Sequence, residues 1–324
     1  MLPNFTYERA GSVDEAVEHS ASEGAVLHAG GTDLLGCLRD GVFTAEKVVS
    51  LSGLEELKGI QATRDGGLRI GALTTLTEIA SDATIAERYT ALSQAAAAAA
   101  SPQLRNQGTI GGNICQRPRC WYYRGDFHCL RKGGDTCYAI VGENHFHCIF
   151  GGSGCYIVHP SDTAPALQAL GASVRIASRS GTRTVSLDDF FVLPADDIRQ
   201  ENILEPGELV TEVVLPPLRT GTRSVYRKVR DRGAWDFALA GLAAVVLMDG
   251  DRVQEASLVL AGVAPKPWRA ADAEEALAGG SLDDATIARV AEAAVSGAQP
   301  LEHNGYKVQL VRGLMEETLR GLEA

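Results

Sequence analysis

The 324-residue sequence has no apolar run long enough to cross a bilayer. Its longest, Phe237 to Met248, falls well short of the roughly 20 residues that a spanning helix needs. The N-terminal MLPNFTYERAG has no basic stretch followed by an apolar core, so it does not read as a signal peptide. Positive charge is scarce. Thirty Lys and Arg against 41 Asp and Glu leave a net charge of −11, which disfavours polyanionic partners such as nucleic acid or an anionic membrane. Two nucleotide-binding signatures are missing as well: neither G-x-G-x-x-G nor a P-loop occurs.

Cysteine is absent from most of the chain and crowded in one part of it. Cys37 stands alone. Cys115, Cys120, Cys129, Cys137, Cys148 and Cys155 fall within 41 residues. A disulfide-stapled secreted domain is small and spreads its cysteines through the fold. One dense patch in a long chain points instead to a metal or cluster site. His128, His145 and His147 lie close by, and mixed Cys/His sets suit zinc. On the residues alone, zinc and iron–sulfur stand level. Cys37 reads as a small buried apolar residue.

Several elements are predicted by pattern. Ser12 to Glu15 has the form of a capping box that opens a helix. Ala25 to His28 and Gly67 to Ala72 read as strands. Thr84 to Ala100 reads as one helix ending in six alanines, small enough to sit close to a sheet or a ligand. Ala172–Ala177 and Thr182–Leu187 form a hairpin, and Glu208 to Leu215 a further strand. Pro216-Pro217 and Arg219 to Thr222 make a linker. Beyond it Ser224–Arg230, Phe237–Met248 and Arg252–Ala261 read as strands, with a turn at Asp249-Gly250. Ser281-Leu282-Asp283-Asp284 caps a helix. The terminal helix carries the apolar stripe Val308, Val311, Leu314, Met315, Leu319 and Leu322. Strands followed by helices predict a small α+β domain.

Four segments carry candidate chemistry. In Ala29-Gly30-Gly31-Thr32-Asp33-Leu34-Leu35 a strand feeds two glycines, a hydroxyl and a carboxylate. Glycines permit close backbone approach, so that several N–H groups can converge on a diphosphate. Thr109-Ile110-Gly111-Gly112-Asn113 is a second glycine-rich loop. Each alone is equally well a plain turn or bulge; together they could grip one nucleotide cofactor. Asp162 could accept from ribose hydroxyls or merely cap a helix. On a strand, Tyr226, Lys228 and Arg230 share a face, and Lys228 could stabilise an anionic reduced flavin or lie on a solvated edge.

With these motifs in this order, followed by Gly262 to Arg269, the chain resembles the FAD-binding medium subunit of the xanthine dehydrogenase and carbon monoxide dehydrogenase family. The resemblance spans nearly the whole chain. It is most like the branch found in bacterial aldehyde oxidoreductase and 4-hydroxybenzoyl-CoA reductase. It implies an α+β fold: a two-lobed FAD-binding domain of the vanillyl-alcohol-oxidase type over 1–218, then a small α+β C-terminal domain over 222–324. It implies that Ala29 to Leu35 and Thr109 to Asn113 hold the diphosphate, with Gln116 a further cofactor contact. Asp162 is expected near the ribose or adenine end, with Lys228 and Leu209 near the isoalloxazine. Between Asn113 and Asp162 lie 48 residues, where most of the family has a short connection. In the resembling branch this insertion, at about 115–157, carries a [4Fe–4S] cluster. Matching residues assigns it to Cys120, Cys129, Cys137 and Cys155, leaving Cys115 and Cys148 spare.

The function so implied is electron transfer. FAD joins one-electron clusters to a two-electron acceptor. The implied partners are a large subunit with a molybdenum cofactor, where substrate chemistry occurs, and a small subunit with [2Fe–2S] clusters, assembled as heterotrimers or dimers of heterotrimers. An acceptor such as NAD, ferredoxin, quinone or oxygen completes the path. The basic strip Arg117, Arg119, Arg124, Arg131 and Lys132 could dock an acidic acceptor or simply be a solvated face. No catalytic acid or base is expected on this chain. The expected compartment is the cytoplasm, or the periplasm if a partner carries an export signal. The rival readings are a stand-alone flavoenzyme with its own substrate site and a zinc-binding interaction module.

Overall fold

The computed structural model describes residues 1–233 and 235–323. Three sheets organise the chain. The first is parallel, in the order β1 (Thr6–Arg9), β3 (Lys47–Ser50), β2 (Ala25–His28). The second is antiparallel, in the order β4 (Ile60–Ala62), β5 (Leu68–Gly71), β8 (Leu209–Leu215), β6 (Ser173–Ser178), β7 (Gly181–Ser186). The third, also antiparallel, runs β12 (Trp268–Arg269), β11 (Arg252–Ala261), β10 (Ala240–Asp249), β9 (Thr222–Val229). The first two form two lobes, and the third packs with the helices Ala271–Leu277, Asp284–Ala293 and Tyr306–Glu323 around its own core. Of the expected stripe on the last helix, Val311, Leu314, Met315, Leu319 and Leu322 are buried.

Local signals place the elements with two corrections. Ser12 does accept from the Glu15 N–H, but the Glu15 carboxylate takes the N–H of Gly11 rather than closing the box on Ser12. The reciprocal box lies at Thr75 and Glu78, which opens Leu76–Ser81. The helix expected from Thr84 to Ala100 is two, Ala83–Arg88 and Thr90–Ala98. The break falls at Tyr89, which is fully buried and donates its hydroxyl to the Pro216 carbonyl at 2.8 Å. That tie holds the residue out of helical register.

The alanines of Thr90–Ala98 do bring a helix close to a sheet. Ala91 and Ala95 pack on Ala166 and Ala169 of helix Thr163–Ala169 and on Ala243, Val259 and Ala261 of the third sheet. Larger side chains here would force the helix and the third sheet apart.

Candidate functional site

The two glycine-rich loops meet. A Cβ on Gly30 would lie 1.8 Å from the Gln107 carbonyl oxygen, and one on Gly111 would lie 2.9 Å from the Ala72 Cβ. Gly31 adopts φ +72°, and a Cβ there would stand 2.6 Å from His28 Nε2. Glycine is therefore required for the close approach of the backbones. Ile110 and Gly111 donate their N–H groups to Thr74 and Ala72 of the second lobe, and Thr109 Oγ1 accepts from Gly112 at 3.2 Å. The N–H groups of Gly30, Gly31, Thr32 and Asp33, by contrast, donate to no protein acceptor among the described residues. Four successive free N–H groups in a tight loop form an anion cradle.

Two cavities flank this cradle, and Thr32, Asp33, Thr109, Gly112 and Gln116 line both. One continues past Leu27, Ala29 and Leu34 to Leu209; the other past Ala100 and Leu104 to Phe237. A ligand with a central diphosphate and two ring-bearing arms fits that arrangement. FAD is such a ligand, so the residues present fit the cofactor.

Asp33 organises the floor. It accepts from the Arg117 N–H and from Arg124 Nη2, both at 2.7 Å, and from Arg119. Burial alone would raise its pKa, but Arg119 and Arg124 outweigh it and hold the carboxyl below its usual range. Arg124 also donates to Cys37, whose thiol burial pushes up to about 11. Cys37 is thus the buried small residue expected, with a cation against its sulfur. Gln116 bridges Asn113 O and Arg119. Asn113 turns its carboxamide oxygen to Ser161 and Thr163, tying the second loop to the Asp162 segment.

Asp162 and Lys228 are in contact, at 2.8 Å, with both side chains almost fully buried. Tyr226 donates its hydroxyl to the same carboxylate at 2.7 Å, and Lys228 also donates to Ala98 O at the end of the alanine helix. Burial pushes the Asp162 carboxyl up, against the pull of Lys228. Asp162 makes no capping bond; Ser161 accepts from the Ala164 N–H instead. The expectation that Asp162 and Lys228 serve opposite ends of the cofactor is corrected, because one ion pair cannot span an extended dinucleotide. Nor are Lys228 and Leu209 neighbours: Leu209 is buried with Leu73 and Ala177 on the other side of the cradle. Tyr226, Lys228 and Arg230 do share the face turned to Ala98 and Asp162.

Two further nominations shift. Ile110 is fully buried in the second-lobe core, so only its backbone belongs to the loop. Leu35 is exposed and lines neither flanking cavity. Arg119, read from sequence only as part of the basic strip, and Phe237, read only as the start of a strand, were missed as cavity residues. They line the cavity beyond the second arm, and the guanidinium lies 5.2 Å from the ring centroid. Phe237 was masked by the apolar run it opens; the strand begins only at Ala240.

In the insertion, Cys120, Cys129, Cys137 and Cys155 line one small void with Tyr122, Tyr138, Tyr156 and His147. Backbone N–H groups face three of the sulfurs: Tyr123 and Tyr122 at Cys120, Ala139, Tyr156 and Ile140 at Cys137, and Ile157 at Cys155. Burial pushes the Cys120 thiol up to about 12. Cys115 instead lines the Leu209 side of the cradle, and Cys148 lies outside the void. Among the described residues no three His, Cys, Asp or Glu stand close enough to share one metal ion. A zinc ion at about 2.3 Å from each sulfur would need that closeness. A four-iron cube keeps its thiolates farther apart, since iron and sulfide fill the middle. Four thiols about one void match the number of thiolates that a four-iron cube takes.

Comparison with known proteins decides the family. Residues 3–218 match the family model described as the FAD binding domain in molybdopterin dehydrogenase, and residues 224–322 match the CO dehydrogenase flavoprotein C-terminal domain. The chain belongs to the molybdopterin-dehydrogenase flavoprotein family. It is 37% identical, over 97% of each chain, to the aldehyde oxidoreductase FAD-binding subunit PaoB of Escherichia coli strain K12. The carbon monoxide dehydrogenase medium chain of Hydrogenophaga pseudoflava is 28% identical over 93% of this chain and 89% of that one. A solved carbon monoxide dehydrogenase chain from H. pseudoflava superposes with a TM-score of 0.79 at 26% identity, covering 100% of this chain and 99% of that one. Family membership makes this an oxidoreductase subunit with an FAD-binding domain and a C-terminal domain.

The basic strip does not survive as a docking face. Arg131 is buried against Glu201, Arg117 pairs with Glu201 and Tyr123, and Arg119 and Arg124 are held by Asp33. Their charges are spent inside, fixing the insertion to the first lobe and to the segment around Glu201. Lys132 donates to Gly125 O within the insertion.

Proposed function

We propose that this chain is the electron-relay subunit of a molybdenum hydroxylase complex, with FAD held across the Gly30–Asp33 and Thr109–Asn113 loops. The carrying observation is the row of four free N–H groups facing a second glycine loop, with an arm-sized cavity on each side. FAD supplies one- and two-electron redox chemistry when bound. The residues of the chain bind and orient it. The loop N–H groups and Thr32 take the diphosphate, Asn113 and Gln116 fix the second loop, and Leu209 and Phe237 cover opposite arms. Asp162, Tyr226 and Lys228 brace the wall behind the Phe237 side.

Cys120, Cys129, Cys137 and Cys155 carry a [4Fe–4S] cluster in this proposal. Four thiols about one void, met by backbone N–H groups, support that assignment. The partners are a large subunit with the molybdenum cofactor, where the substrate reacts, and a small subunit with [2Fe–2S] clusters. The full-length match to a FAD-binding subunit supports this over a stand-alone flavoenzyme.

A serine series tests the ligand set. Cys120→Ser, Cys129→Ser, Cys137→Ser and Cys155→Ser are each expected to lower iron from about four per chain while flavin stays bound. Cys115→Ser and Cys148→Ser are expected to keep the iron. Iron that is indifferent to the first four substitutions would refute the assignment.

A further inference from the structure

The wall between the cysteine void and the cavity that reaches Asp162 and Phe237 is thin. Cys120, His147 and Ile157 line both spaces. Of these, His147 alone has a side chain able to donate a conventional hydrogen bond to a thiolate. Its Nε2 lies 3.3 Å from Cys120 Sγ, and the residue is buried. Among the described residues, no other side chain is hydrogen-bonded to any of the four sulfurs around the void.

The segment that bears the ring is held from within and from outside the insertion. His147 N–H donates to Asn144 O at 3.0 Å, and its carbonyl accepts from Asn304 Nδ2 at 3.1 Å. Asn304 is fully buried in the C-terminal domain, and the neighbouring His303 N–H donates to Asn144 Oδ1 at 2.9 Å. Both ends of the short segment that bears the imidazole are thus clamped. The other ring nitrogen, Nδ1, is buried without a partner.

A thiolate has no proton to give. If Cys120 ligates iron, the hydrogen of the Nε2···Sγ contact must sit on the imidazole, which leaves Nδ1 bare. We propose that His147 is a positioning residue for the redox centre, donating Nε2–H to the Cys120 thiolate and thereby raising the reduction potential of the cluster. The physical reason is electrostatic. An N–H dipole aimed at a ligating sulfur stabilises the more negative, reduced cluster more than the oxidised one. The inference rests on the cluster assignment above.

The test is a potentiometric titration of the purified complex, read by cluster spectroscopy, with iron and flavin content measured alongside. His147→Leu removes the donor and keeps apolar bulk; His147→Gln places an amide N–H near the position of Nε2. His147→Leu is expected to shift the cluster midpoint to a more negative value, and His147→Gln to recover most of the shift. Should His147→Leu lose its iron, retention by His147→Gln would support the donor role, and loss in both would overturn it. An iron-loaded His147→Leu with an unchanged midpoint would overturn this inference alone. A wild-type complex without iron would overturn both this and the cluster assignment.

Discussion

Single residues set the site by what they lack as much as by what they carry. Gly30 and Gly111 were legible as points of close backbone approach, which only glycine permits. The partner of Asp33 was not legible: Arg119 and Arg124 lie 86 and 91 positions away and read as a surface strip. Distance along the chain hides such a pairing, and no local propensity reports it. His159 carries a prediction at this scale. It is buried, its Nδ1 accepts from the Ser161 N–H, and burial pulls its pKa down to about 4. The unfolded imidazole takes its proton near 6.5 and the folded one only near 4. Between those values the unfolded chain binds more protons, so stability is whole above 6.5 and lost as pH falls toward 4. The effect is on the order of 3 kcal/mol at full extent. Denaturant titrations at pH 7 and pH 4.5 should diverge in the wild type and draw together in His159→Gln. An equal loss in both proteins would contradict this account of the residue.

Elements were read well where periodicity was local and poorly where a distant contact intervened. The hairpin of β6 and β7 and the strand β8 appear within a residue or so of their expected bounds. The break at Tyr89 could not be foreseen, because it depends on a carbonyl 127 positions on. The strand β9 was identified with its face correctly shared, but its target was not. That face closes on the end of the alanine helix and on Asp162, which begins helix Thr163–Ala169. The pair joins the second lobe to the C-terminal domain and sits almost wholly out of water. Removing one partner leaves a buried unpaired charge, a loss of about 3–5 kcal/mol. Asp162→Ala and Lys228→Met are each expected to destabilise by about that much. The double substitution should cost at least about 1 kcal/mol less than their sum. Additive effects in a double-mutant cycle would show that the two groups do not act as a pair.

At the scale of the molecule, the paired glycine loops lie where two lobes meet, and the third sheet closes the structure against them. The insertion is held from both sides. Arg117 and Arg131 fasten it to Glu201, while Asn304, Tyr306 and Lys307 fasten it to the C-terminal domain. Lys307 is wholly buried with its ammonium on the Phe146 and Gly262 carbonyls, and burial lowers its pKa to about 7. This double attachment was invisible in the sequence, since it uses ordinary surface residue types turned inward. The lobed architecture was legible only through the family resemblance that five motifs in a fixed order carry. The most direct test of the account is the flavin content of the folded protein, purified with its partner subunits and measured by absorbance after release. Close to one FAD per chain is the result the paired loops require; a correctly folded complex that retains no flavin would contradict them.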